Sequence, residues 1–80
     1  MFTRRLGPNP HADGARTENL AGCPDILELE NGDFAVIGRD ITIEARDSMF
    51  PTASCGLDER VVCLPRRILV AAKRDIPDAV

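Results

Sequence analysis

This chain has no tryptophan and no tyrosine, and three phenylalanines supply all of its 4% aromatic content. A core drawn from 80 residues must therefore rest on Ile, Leu, Val and a few Phe, and a chain this short buries only a modest share of its surface. No deep pocket is expected. Long hydrophobic runs are also missing: the longest wholly apolar stretch runs from Ile68 to Ala72, far short of the roughly 20 residues that cross a bilayer. Arg4 and Arg5 are followed by Pro8, Asn9, Pro10, His11 and Asp13, where a signal peptide would need apolar residues. The expectation is a soluble, cytoplasmic protein.

Histidine and cysteine are scarce. Cys23, Cys55 and Cys63 are odd in number and none is paired at two-residue spacing, so the simplest reading is small buried hydrophobes in a reducing compartment. A Cys55–Cys63 bridge is one alternative. Zinc held by His11, Cys23, Cys55 and Cys63 is another, with suitable ligand types but the spacing of no familiar zinc module. Thiol catalysis needs a base beside the thiolate, and the single histidine lies in a Pro/Gly-rich segment. Adjacent acids such as Asp58 and Glu59, or Asp25 and Glu28, read as solvated carboxylates with no pocket to raise a pKa. The sequence is read as non-enzymatic, with no cofactor and no metal.

What the sequence does contain is a hairpin signal. Asn31-Gly32 suits a two-residue turn with positive φ at both positions, which would pair Glu30 with Asp33, Leu29 with Phe34, Glu28 with Ala35, Leu27 with Val36 and Ile26 with Ile37. Leu27, Leu29, Phe34 and Val36 then share one face, while Ile26 and Ile37 lie on the other with Glu28, Glu30, Asp33 and Ala35. Gly38 ends the second strand, and Asp40 is placed as the N-cap of a short helix reaching about Ser48.

Residues 1–22 carry Gly7, Pro8, Pro10, Gly14 and Gly22 without an apolar period and read as a disordered, flexible N-terminal arm. A single small domain is assigned to 23–80. Pro51 to Glu59 reads as a surface loop, and Arg60 to Leu64 as a third strand. Pro65 suits the start of a helix; Ile68, Leu69, Ala72 and Ile76 form one apolar stripe, and Pro77 stops the element. Strand propensity at Ile68 to Val70 leaves a strand over 66–74 as the alternative. The expected fold class is α+β: a small three-stranded antiparallel sheet, made of the hairpin plus the third strand, under a C-terminal covering helix.

Charge is divided along the chain. Asp25, Glu28, Glu30, Asp33, Asp40, Glu44 and Asp47 stand against Arg39 and Arg46 in residues 25–47, whereas Arg60, Arg66, Arg67, Lys73 and Arg74 meet no acid in residues 60–74. One reading is a pair of solvated faces attracting each other within the fold; the other is a bipolar surface that steers a partner. Arg66, Arg67, Lys73 and Arg74 flank the apolar stripe on a helix and are the candidate partner-binding residues. Ile26 and Ile37, left on the uncovered sheet face beside an open edge, are added as a surface for a partner or a weak homodimer.

The run from Cys23 to Asp40, with Cys23, Gly32, Ala35, Val36, Arg39 and Asp40 at the matching positions, followed by a later strand and a Pro-initiated helix, resembles the small actinobacterial accessory proteins encoded beside Xre-type helix-turn-helix regulators. That resemblance covers about residues 23–40 and, more loosely, 60–74. It implies partnership with a DNA-binding transcriptional regulator and no defined activity. Arg60 to Leu69 also resembles, more faintly, the strand-Pro-basic segment of AbrB-like regulators, which would imply a small dimeric DNA-binding protein. A formal net charge of −3 places direct nucleic-acid binding second.

Overall fold

The computed structural model describes residues 1–9, 23–48 and 50–80. The chain forms a three-stranded antiparallel sheet from β1 (Phe2–Arg5), β2 (Asp25–Leu29) and β3 (Phe34–Ile37), in that order. A separate two-stranded ladder joins β4 (Arg39–Asp40) to β5 (Val62–Cys63). Two short helices complete the fold: α1 (Thr42–Arg46), and α2 (Arg66–Ala72) with a 3-10 turn over Lys73–Asp75. The mixed α/β class, the hairpin and the C-terminal helix agree with the sequence reading, although the helix is short.

The identity of the third strand does not. The hairpin's sheet is completed by Phe2–Arg5, from the segment read as a flexible arm, and not by Arg60 to Leu64. The remainder of that arm, residues 10–22, lies outside the described residues. Val62 and Cys63 do form a strand, but they pair with Asp40 and Arg39. Gly38 is the reason these segments meet: a Cβ there would lie 2.5 Å from the Cys63 carbonyl oxygen, so only glycine allows the two backbones to approach so closely.

The hairpin register is also displaced by one residue. Asp25 pairs with Ile37, Ile26 with Val36, Leu27 with Ala35 and Glu28 with Phe34. No non-glycine residue has positive φ among those described, while Gly32 sits at φ +93°, so Asn31 does not adopt the conformation a two-residue turn requires. Instead Glu30, Asn31 and Gly32 form a three-residue loop. The Gly32 N–H donates to the Leu29 carbonyl at 3.0 Å and the Leu29 N–H to the Asp33 carbonyl at 2.8 Å, as in a type I turn followed by a glycine bulge. Asn31 contributes its side chain: Oδ1 accepts the Asp33 N–H at 2.9 Å.

The shift moves side chains between faces. Leu27 and Leu29 now oppose Phe34 and Val36 across the sheet, and Ile26 lies on the face covered by α2. Leu6, Ile26 and Ala72 are the buried apolar residues, with Leu64 and Ile68 packed against them. Pairing continues beyond β1 through the Leu6 N–H, which donates to the Ile26 carbonyl at 2.9 Å. The helix is tied to the same strand: Arg4 donates to the Asp75 carbonyl at 2.8 Å and the Gly7 N–H to Asp75 Oδ2 at 2.7 Å.

Two measurements follow. Gly32→Val meets no atoms within 4 Å, so its cost is conformational, about 1–2 kcal/mol of stability in chemical denaturation. Leu6→Ala is expected to cost about 2–5 kcal/mol; a flexible arm would instead leave the melting temperature unchanged.

Candidate functional site

The helix α2 buries Ala72 and half-buries Ile68 and Ala71, leaving Arg66, Arg67, Lys73 and Arg74 in solvent. Leu69 and Val70, 53% and 61% exposed, lie among these four cations. The helix therefore presents an outward face that is both apolar and basic. Pro65, in an extended conformation at φ −56° and ψ 139°, launches it without a side-chain cap, and no acidic residue occupies its first turn. Two arginines at a helix N-terminus oppose the helix dipole by a few tenths of a kcal/mol each.

The hairpin acids do not offset those cations. Glu28 takes the Arg4 Nε at 2.6 Å, Asp25 takes the Arg5 Nε at 2.8 Å, and Glu30 takes the N-terminal ammonium at 2.9 Å. Arg39 pairs with Glu44 at 3.6 Å. Among the described residues, Arg66, Arg67, Lys73 and Arg74 form no ion pair. The two charged segments seen in the sequence thus do not meet as attracting faces within the fold; the first strand supplies the hairpin's counter-charges.

The structure separates the two isoleucines placed together in the sequence reading. Ile26 is 5% exposed and belongs to the core, whereas Ile37 is 47% exposed on the opposite face. Ile26 is therefore withdrawn as a surface residue, because Leu6 and Ala72 pack on its side of β2, while the one-residue register shift leaves Ile37 on the other side, opposite Asp25. Ile37 borders a shallow cleft of about 430 Å³ lined also by Pro24, Gly38, Arg39, Cys63 and Pro65. Among the described residues its lining offers a thiol and a guanidinium but neither carboxylate nor imidazole.

No disulfide joins Cys23, Cys55 or Cys63, and Cys63 is exposed. Among the described residues no three His, Cys, Asp or Glu side chains are grouped to hold a metal ion; His11 lies outside them. No helix among those residues is long and apolar enough to cross a membrane.

The best-defined polar cluster joins the two halves of the small ladder. Thr42, 5% exposed, donates its hydroxyl to Asp40 Oδ1 at 2.6 Å and accepts the Val61 N–H at 2.8 Å. Asp40 Oδ1 also accepts the Thr42 N–H at 2.9 Å, but Asp40 is not the helix N-cap expected from the sequence: it lies in β4, and Ile41, without a side-chain cap bond, is the N-cap of α1. These donors from Thr42, hydroxyl first and backbone second, hold the Asp40 carboxyl below its ordinary value near 3.8, with Arg60 adding a smaller attraction. A lowered folded-state value gives a stabilisation present above the unfolded pKa and lost as pH falls through the folded one.

Comparison with protein-family models, with curated proteins and with solved structures finds no match for this chain.

Replacing Thr42 with Val tests the cluster. The Val61 N–H loses its acceptor, costing about 1–3 kcal/mol, and the Asp40 carboxyl resonance should titrate nearer to its ordinary value in NMR.

Proposed function

We propose that this chain is a non-enzymatic protein-interaction module that uses the outward face of α2 to engage a partner bearing acidic and apolar groups. The observation that carries this reading is the set of four cations, Arg66, Arg67, Lys73 and Arg74, around exposed Leu69 and Val70, with no ion pair to any of the four among the described residues. Local stability does not account for Arg66 and Arg67, since the helix dipole disfavours them. Interfaces pair apolar anchors with charges that steer approach, and this face offers both.

The resemblance to accessory proteins of Xre-type regulators supports a DNA-binding transcriptional regulator as that partner and the cytoplasm as the place of action. Direct DNA binding, in the manner of AbrB-like regulators, is the second reading, favoured by the same uncompensated cations and opposed by the net charge of −3.

The double variant Arg66→Glu/Arg67→Glu separates a recognition role from a structural one. Its melting temperature should equal or slightly exceed the parent's, because negative charge suits a helix N-terminus. Capture of a helix-turn-helix protein from the native host should be lost, with the parent's capture weakening as salt rises. Unchanged capture would remove this face from the interaction. Salt-sensitive retention on bare DNA without a protein partner would establish the second reading.

A further inference from the structure

The two edges of the main sheet are protected unequally. β1 forms one edge and carries Arg4 and Arg5 with a register irregularity between Phe2 and Arg4, devices that discourage a further strand. The opposite edge, β3, reads Phe-Ala-Val-Ile and has neither charge, proline nor irregularity. Phe34, Val36 and Ile37 are 42%, 43% and 47% exposed.

The direction of the free backbone groups on β3 is fixed by the ladder. The bond from the Leu29 N–H to the Asp33 carbonyl at 2.8 Å marks Leu29 and Asp33 as a hydrogen-bonded pair. Alternation then makes Leu27–Ala35 and Asp25–Ile37 hydrogen-bonded pairs as well. The N–H and C=O groups of Phe34 and Val36 consequently point away from β2, and no bond from outside the sheet reaches them among the described residues.

We infer that this edge is a dimer interface, occupied by β3 of a second copy of the chain in antiparallel register. A two-fold axis at Ala35 sets Phe34 of each copy opposite Val36 of the other. That register satisfies all the outward backbone groups of both residues, since each facing pair exchanges two hydrogen bonds. It also places an aromatic ring against a β-branched side chain twice on the α2-side face, a favourable cross-strand combination. Charge agrees with the same register: Asp33 before β3 and Arg39 after it are brought diagonally toward each other at both ends of the new ladder. The result is an isologous, closed association that removes the unprotected edge and continues the sheet across the axis.

Sedimentation equilibrium on the full chain tests this, with the parent's mass rising toward twice the monomer's as concentration increases. Val36→Pro removes an outward N–H at an edge position where proline is tolerated, and Phe34→Lys places a charge on the edge. Each is expected to stay monomeric. If Val36→Pro fails to fold, Phe34→Lys and cross-linking decide. With Cys23, Cys55 and Cys63 changed to Ser, Ala35→Cys should form an intermolecular disulfide readily, because the non-hydrogen-bonded pair at the axis brings the two residues within disulfide reach. Ile37→Cys, opposite Asp33, should not. A parent that remains monomeric, a dimer that survives Phe34→Lys, or faster cross-linking through Ile37→Cys would overturn the inference. Arg66→Glu/Arg67→Glu should leave the dimer intact, so loss of the α2 partner and loss of self-association are distinguishable.

Discussion

Pairing of Phe2–Arg5 with Asp25–Leu29 is the constraint on which the other parts of the fold depend. It brings Leu6 against Ile26 and Ala72, and without Leu6 the core would hold one large apolar side chain fewer in a chain that already buries very few. It also answers the burial of Asp25, 7% exposed, by setting Arg5 beside it; a carboxylate withdrawn from water needs a charged or hydrogen-bonding partner. The same strand holds the far end of the covering helix through Arg4 and Gly7, both bonded to Asp75. Exposed ion pairs contribute little, so the strand stabilises mainly through Leu6 and the backbone ladder, while its arginines fix which acids are neutralised.

That allocation of charge explains why the helix remains basic on its outside. Glu28 and Asp25 are partnered by residues from the chain's beginning, leaving the acidic hairpin no role as a counter-surface for Arg66 and Arg67. Had the hairpin acids met the helix cations instead, the charge division along the chain would have been spent internally. As built, the fold keeps a positive, partly apolar face turned outward.

Local signals in the sequence were the legible ones. Gly38 ending a strand, Asp40 standing just before a short helix, Pro65 preceding another and Pro77 following it all act within a few residues of themselves, and each marks a boundary close to where the structure has it, although Ile41 and not Asp40 is the N-cap. The first strand was illegible because Phe2–Arg5 has no apolar alternation of its own; its partner lies more than twenty residues away, and only the charge match of Arg4 with Glu28 and Arg5 with Asp25 hinted at it. The register failed for a different reason. Asn-Gly admits either a two-residue turn or a longer loop, and the longer loop present here is accompanied by the Asn31 side chain bonding the Asp33 N–H. The longer loop shifts the register so that Ile26 pairs with Val36 and no longer with Ile37, and with Ile26 in the core half of the apolar surface assigned to Ile26 and Ile37 is lost. The exposed pair Leu69 and Val70 was hidden by the same logic in reverse: a helix this short needs only Ile68 and Ala72 to contact the sheet, so part of an apolar run is left outside.

The two outward surfaces work over different ranges. Charges on α2 act across about 8–10 Å at moderate ionic strength, which favours capture and orientation of a partner before contact. The β3 edge acts only at hydrogen-bonding distance, where register is decided by which backbone groups are free. Net repulsion between copies of a chain with charge −3 is modest, and the edge itself carries no charge to oppose contact. On the proposed readings, each surface would lower its free energy by meeting another chain. Self-association through β3 would present two α2 faces related by the same axis, and a dimeric partner with matching symmetry would then bind both at once, gaining avidity from the second contact without any new residue.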